Sequence, residues 1–129
     1  MARILLIDDD DLLREILAKA LTEAGHFVMQ AREGREGVEL FRAAPADLVL
    51  TDIMMPEREG LETIIALRRE LPRLPIIAMS GGNVNSPLFL KLATGLGAQR
   101  RLAKPFTPAL LLRTIEQVLA ETRAGGPAP

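Results

Sequence analysis

The sequence predicts an α/β fold: a doubly wound domain in which helices cover both faces of a parallel sheet. Short apolar runs alternate five times with longer segments whose apolar residues recur every three or four positions, the spacing of a helix face. Four of the five short runs are apolar throughout, which is typical of parallel strands buried on both faces. A length of 129 residues with 48% hydrophobic residues is enough for one core, so we expect a single domain.

The first half of the chain contains three predicted strands and two predicted helices. The strands are residues 4–7, 27–29 and 48–50, and the middle one is the weakest. The first helix ends at Gly25, and the second includes residues 36–41. The predicted core face of the first helix consists of Leu12, Leu13, Ile16, Leu17, Ala20, Leu21 and Ala24.

The second half continues the alternation. We expect a helix over 59–71 that stops before Pro72, a strand over 76–79, a helix over 88–96 and a strand over 100–103. Thr107 followed by Pro108 predicts the start of a last helix. The predicted core positions of this helix are Leu110, Leu111, Ile115, Val118 and Leu119. We expect the domain to span 1–122, with 123–129 as a flexible tail or linker stub rich in glycine and proline.

Composition excludes several classes of protein. Sixteen basic and seventeen acidic residues give a net charge of −1, which argues against direct nucleic-acid binding. The absence of cysteine excludes disulfides, thiolate zinc sites and thiol nucleophiles. The chain contains neither an apolar run long enough to cross a membrane nor an N-terminal signal pattern. We therefore expect a soluble cytoplasmic protein.

Polar residues follow four of the predicted strands. Asp8 and Asp9 follow the first, Asp52 the third, Ser80 the fourth and Lys104 the fifth. Because ligands bind beyond the carboxyl ends of parallel strands, these side chains are expected to converge at one edge of the sheet.

Three carboxylates at one place repel one another unless a cation is present. Mg²⁺ suits a site with a few carboxylates and retained waters. An ionised Asp52 beside such an ion can attack a phosphoryl group, giving an aspartyl phosphate. Lys104 and Ser80 would then supply a positive charge and a hydrogen-bond donor to the phosphate oxygens.

The motifs resemble those of a known family. Residues 4–9 (ILLIDD), residues 47–56 (DLVLTDIMMP) with Gly60, Ser80, and residues 104–106 (KPF) resemble the receiver domain of two-component response regulators. The resemblance runs from Arg3 to about Leu119. It implies a flavodoxin-like (βα)5 three-layer sandwich with a five-stranded parallel sheet of order 2-1-3-4-5, and a cis peptide bond before Pro105.

The resemblance also implies roles. Asp52 would accept a phosphoryl group from a sensor histidine kinase or a phosphotransfer protein, while Ser80 and Lys104 contact that group. The implied Mg²⁺ ligands are Asp8, Asp9, Asp52 and the backbone carbonyl of Met54. The only chemistry expected is phosphorylation and dephosphorylation of the chain itself, which would control a downstream partner or output domain.

The sequence departs from the family pattern at two places. Arg101 stands where receivers usually carry an aromatic residue that moves with the hydroxyl residue, and a guanidinium cannot bury itself as a ring does. The segment 80–87 is rich in turn formers, which suggests a mobile loop whose ordering serves as the signal. Arg100, Arg101 and Arg113 form either a partner-binding face or a solvated surface.

Other polar residues have simpler interpretations. Asp10 and Asp11 are expected in the first turn of a helix, where the macrodipole favours acids. His26, the single histidine, is expected to be solvated and to play no catalytic part. The phosphoryl donor is therefore expected on a partner.

Two alternatives stay open from the sequence. A haloacid-dehalogenase-type phosphatase uses an aspartate nucleophile with a second acid two residues later, a spacing that Asp8 and Asp10 match. A pseudo-receiver would act as a docking module without phosphorylation. The sequence does not identify the cognate kinase or the downstream partner, and it leaves open a phosphorylation-dependent dimer.

Overall fold

The computed structural model describes residues 2–52, 59–80 and 100–124. These parts of the chain contain five strands and four helices. The strands are β1 (Arg3–Ile7), β2 (Phe27–Ala31), β3 (Leu48–Asp52), β4 (Ile76–Ser80) and β5 (Arg100–Ala103). The helices are α1 (Asp11–Glu23), α2 (Gly34–Ala43), α3 (Glu59–Glu70) and α4 (Pro108–Ala124).

The strands form one parallel sheet in the order β2-β1-β3-β4-β5. This confirms the predicted fold class and strand order. From β1 the chain moves outward to β2, then returns past β1 to build the rest of the sheet. The strand order therefore reverses between β1 and β3, where ligands of such sheets bind.

The sheet separates two apolar cores because successive side chains of a strand point to opposite faces. In β1, Leu5 and Ile7 pack with residues of α2 and α3, whereas Ile4 and Leu6 pack with residues of α1 and α4. Burial on both faces explains why the three central strands, β1, β3 and β4, read as continuous apolar runs. The result is the predicted three-layer sandwich.

One glycine marks how closely α2 approaches the sheet. A Cβ built on Gly37 would lie 2.9 Å from Cγ1 of Ile7 and closer still to its Cδ1. Because Ile7 is fully buried, its side chain has little room to move away. Gly37 therefore allows a contact between helix and strand that a larger residue would push apart.

Some predicted core positions are wrong. On α1, Leu12 and Ile16 are 70% and 50% exposed, and Leu110 of α4 is 40% exposed. The buried residues of α1 are Arg14, Leu17, Ala18 and Leu21, a stripe at the spacing i, i+3, i+4, i+7. The predicted face was therefore rotated and too wide.

His26 is also not solvated, contrary to the prediction. It is 8% exposed, and its Nδ1 accepts a hydrogen bond of 3.2 Å from the backbone N–H of Ala2. Its Nε2 lies 3.8 Å from Oε2 of Glu116 on α4. His26 thus ties the start of β1 to the turn before β2, which is a structural position.

The predicted helix over 88–96 and most of the loop over 80–87 lie outside the described residues. Among the helices of the described segments, none combines the length and the apolar character that a membrane span requires.

Candidate functional site

The strand register places two of the predicted acids side by side. Ile7 of β1 pairs with Thr51 of β3, so the residues that follow them, Asp8 and Asp52, occupy neighbouring positions at the end of the sheet. Asp8 and Asp52 are both buried, whereas Asp9, the residue after Asp8, is exposed. The pairing of β1 and β3 therefore creates the site directly.

The three predicted acids form one cluster. Asp8, Asp9 and Asp52 each place a carboxylate oxygen within 4.8 Å of the other two. Lys104, which follows β5, reaches the same cluster from the other half of the sheet. Its Nζ donates to Oδ2 of Asp8 at 2.7 Å and to Oδ2 of Asp52 at 2.9 Å.

Asp8 is held at every polar group. Its backbone N–H donates to the carbonyl of Ala31, and its carbonyl accepts from Nη1 of Arg14 at 2.8 Å. Its Oδ1 accepts from the N–H of Asp10 at 2.9 Å, and its Oδ2 accepts from Lys104. A fully buried carboxylate requires such partners, because leaving a buried polar group without a hydrogen bond costs about 1–3 kcal/mol and leaving a charged one costs more.

Burial and neighbouring charges shift the pKa values of two groups in the site, Asp8 and Lys104. Burial raises the pKa of Asp8, and the nearby charge of Asp52 raises it further, although hydrogen bonds from Lys104 and Asp10 partly oppose the increase. Burial by itself lowers the pKa of Lys104, but its hydrogen bonds to Asp8 and Asp52 outweigh this and leave the pKa raised. Both shifts mean that the site favours additional positive charge.

The donor set fits a hard divalent cation. Three carboxylates carry a charge of −3, of which the Lys104 ammonium offsets one unit. Mg²⁺ binds oxygen ligands at about 2.1 Å and keeps several waters, so ligands on opposite sides of the ion lie about 4.2 Å apart. The three carboxylate oxygens lie within 4.8 Å of one another, near enough to share one ion. Asp8, Asp9 and Asp52 are therefore the residues that could hold the ion.

Asp10 and Asp11 lie at the start of the next helix: Asp11 is in its first turn, as predicted, whereas Asp10 stands one position earlier as the N-cap. Oδ1 of Asp10 accepts from the N–H of Leu13 at 3.1 Å and caps α1. Asp11 lies in the first turn, where its carboxylate contacts Arg14 and Arg32. The hydrogen bond to Arg14, with further help from Arg32, holds the pKa of Asp11 below its usual value.

Comparison with known families decides among the functional interpretations. The sequence profile of the response regulator receiver domain matches residues 4–116 of this chain. The chain belongs to this family. Receiver domains accept a phosphoryl group and switch conformation, and response regulators receive that group from histidine kinases. Membership of the receiver family replaces the alternative interpretation as a dehalogenase-type phosphatase. Asp10, which that alternative used as its second acid, instead caps the first helix.

Among curated proteins, this receiver is similar to response regulator MprA of Mycolicibacterium vanbaalenii, at 36% identity over 95% of the chain and 49% of the relative. It is also similar to transcriptional regulatory protein CpxR of Escherichia coli, at 35% identity over 92% of the chain and 50% of the relative. The receiver thus spans about half the length of these curated relatives.

Solved structures give the same result. The chemotaxis protein CheY4 of Vibrio cholerae is 32% identical with a TM-score of 0.83, covering 92% of this chain and 98% of that one. A CheY-like receiver domain protein of Methanospirillum hungatei is 28% identical with a TM-score of 0.87, covering 98% and 99%. Both matches extend over nearly the whole of those chains.

The structure describes some, but not all, of the other residues singled out in the sequence. The backbone of Ser80 ends β4, whereas Met54 lies outside the described residues. The Lys104–Pro105 peptide bond is cis, as the resemblance implied. Arg101 is exposed on β5.

The basic face predicted from the sequence is only partly solvated. Arg101 and Arg113 are exposed, whereas Arg100 forms an ion pair with Glu121 of α4. The charge of Arg100 is therefore at least partly neutralised by Glu121 within the domain.

Sequence reasoning missed one residue of the site, Arg14. Its side chain is buried beside the acids although it carries a full charge. The signal was present, because Arg14 precedes Leu17, Ala18 and Leu21 at the spacing of the buried stripe.

Proposed function

We propose that Asp52 is the phosphoacceptor of this receiver and that Asp8, Asp9 and Asp52, with the backbone carbonyl of Met54, bind Mg²⁺. The observation that supports this most directly is the convergence of the three carboxylates and the Lys104 ammonium at the strand-order reversal. Asp52 is buried at the carboxyl end of β3.

In the proposed reaction, a carboxylate oxygen of Asp52 attacks the phosphorus of the donor. A P–O bond forms, the P–N bond of a phosphohistidine breaks, and the released imidazole takes up a proton. Lys104, already within hydrogen-bonding distance of Asp52, is placed to neutralise charge on the phosphoryl oxygens, and Ser80 supplies a hydroxyl donor. When bound, Mg²⁺ offsets the negative charges that meet during transfer. Hydrolysis of the acyl phosphate would return the chain to its starting state.

The test is incubation with a small-molecule phosphodonor, with and without Mg²⁺, followed by intact-mass measurement. We expect one added phosphate in the wild type, little without the metal, and none in Asp52→Asn. Asp47→Asn is a matched control, because Asp47 is exposed at the opposite end of β3 and its Oδ2 accepts only a backbone hydrogen bond from Arg3 among the contacts described. Equal labelling of the Asp52 and Asp47 variants would refute the assignment.

The partners are also proposals. The phosphoryl donor would be a sensor histidine kinase or a phosphotransfer protein, and the exposed Arg101 and Arg113 support a protein-binding face that includes β5. We propose a phosphorylation-dependent dimer as one form of output. Light scattering of the labelled and unlabelled chain would detect it as a doubling of mass.

The domain division stays a prediction: 1–122 as the receiver and 123–129 as a tail or linker. The curated relatives are about twice as long as the matched region, which supports a linker to an output domain. A pseudo-receiver function finds no support in the site, because the acids and the lysine expected for phosphorylation are together.

A further inference from the structure

Arg14 is a charged residue in the apolar stripe of α1. It is 8% exposed, and all three kinds of guanidinium nitrogen donate hydrogen bonds. Nη1 donates to the backbone carbonyl of Asp8 at 2.8 Å, Nη2 contacts Oδ1 of Asp11 at 2.8 Å, and Nε donates to Oε1 of Gln30 at 3.2 Å. The side chain therefore joins the end of β1, the first turn of α1 and strand β2.

The contact with Asp8 fixes a particular peptide group. The carbonyl that accepts from Arg14 belongs to the peptide between Asp8 and Asp9. Rotation of this planar group would change the direction of the Asp9 Cα–Cβ bond. The Asp8 side chain is anchored independently by Lys104 and Asp10, whereas Asp9 is exposed.

We infer that Arg14 is a positioning residue for the metal site. By holding the peptide between Asp8 and Asp9, it aims the exposed Asp9 carboxylate at the position shared with Asp8 and Asp52. This inference rests on the proposed Mg²⁺ site. It concerns binding of the ion, not transfer of the phosphoryl group.

Electrostatics and positioning predict opposite effects when Arg14 is replaced. Removing a positive charge near three carboxylates makes the site more negative, which by Coulomb's law alone strengthens Mg²⁺ binding. Releasing the peptide between Asp8 and Asp9 weakens binding because the ligands must be ordered when the ion enters. The sign of the change therefore separates the two effects.

The experiment measures Mg²⁺ affinity by calorimetric titration for the wild type, Arg14→Gln, Arg14→Lys and Arg32→Gln. Arg32→Gln is the matched control, because Arg32 contacts the same Oδ1 of Asp11 at 3.1 Å but is largely exposed. We expect Arg14→Gln to raise the Kd about tenfold. Arg14→Lys keeps the charge but cannot make all three contacts of the guanidinium, so it should raise the Kd by a smaller factor. Arg32→Gln should leave the Kd unchanged or lower it.

A second readout distinguishes positioning from loss of stability. The Mg²⁺ concentration that half-saturates labelling by a phosphodonor should rise in Arg14→Gln, whereas the rate at saturating Mg²⁺ should match the wild type. A lower melting temperature in chelator with an unchanged Kd would overturn the inference. If Arg14→Gln does not fold, Arg14→Lys decides in the same way. Failure of the wild type to bind Mg²⁺ would instead refute the proposed metal site.

Discussion

Replacing Lys104 by Met tests the charge balance of the site. Met keeps an apolar stem of similar length but removes the ammonium that contacts Asp8 and Asp52. Removing one partner of a buried ion pair usually costs about 3–5 kcal/mol. The Lys104 side chain is 15% exposed, and Asp8 can relieve the repulsion from Asp52 by binding a proton. We therefore expect Lys104→Met to lower the free energy of unfolding by about 3 kcal/mol at pH 7.

The loss should depend on pH in a defined direction. The pKa of Asp8 is already raised in the folded state, and loss of the Lys104 hydrogen bond raises it further. A carboxyl group with a raised folded pKa binds more protons in the native state, so stability increases as the pH falls through that pKa. The difference between Lys104→Met and the wild type should therefore be smaller at pH 5 than at pH 7.

Mg²⁺ should reduce the difference as well. A ligand that binds only the folded state stabilises it by about 1.4 kcal/mol at ten times its Kd. Because Lys104→Met has a more negative site, we expect it to bind Mg²⁺ more tightly and to gain more stability than the wild type.

Urea unfolding followed by circular dichroism at pH 7, at pH 5 and with Mg²⁺ gives the three free energies. Lys19→Met is the matched control, since Lys19 is exposed on α1 and its replacement should change stability by no more than about 0.5 kcal/mol. A loss in Lys104→Met that is the same under all three conditions would mean that packing, and not charge, causes it.

Two further variants test local features of the fold. Asp10→Ala removes the helix cap and should lower the free energy of unfolding by about 1 kcal/mol in urea titrations, whereas Asp10→Ser should retain most of it; equal losses would argue against capping. Gly37→Ala should destabilise by about 1–2 kcal/mol despite the better helix propensity of Ala, because its Cβ meets the buried Ile7. Adding Ile7→Val to Gly37→Ala should recover part of that loss, because Val lacks the Cδ1 atom that the new Cβ meets. If the losses of the two single variants simply add in the double variant, the steric contact between the two residues is not the cause.

The fold and the convergence of the acids with Lys104 were predictable because each depends on a short-range signal. A strand buried on both faces, such as Leu48–Asp52, must be apolar along its length, and the polar residue at its end marks the edge of the sheet. Asp8 follows such a run and Asp52 ends one, whereas Lys104 follows the edge strand β5, which carries two arginines and is only partly buried. Their convergence then needs only parallel strands, which the intervening helices impose.

What the sequence left open depends on packing between distant segments. The apolar residues of α1 are compatible with more than one face, and the position of α1 on the sheet decides that Leu17 is buried while Leu12 is exposed. His26 is buried because α4 and the start of β1 cover it, which local sequence does not show. Arg14 was overlooked because a charged residue is rarely buried without partners, and its partners come from three elements.

The same imbalance of charge that lowers stability makes the site receptive to a cation. The raised pKa of Lys104 adds stability that is present below the ordinary lysine pKa of 10.5 and is lost as the pH rises through the folded value. The raised pKa of Asp8 means that stability falls as the pH rises from the acidic range. In both cases the folded state retains a proton more strongly than the unfolded chain does. A divalent ion supplies positive charge at neutral pH, where protons are scarce, so the negative charge that remains on the three carboxylates beyond the one Lys104 ammonium is the feature that could bind Mg²⁺.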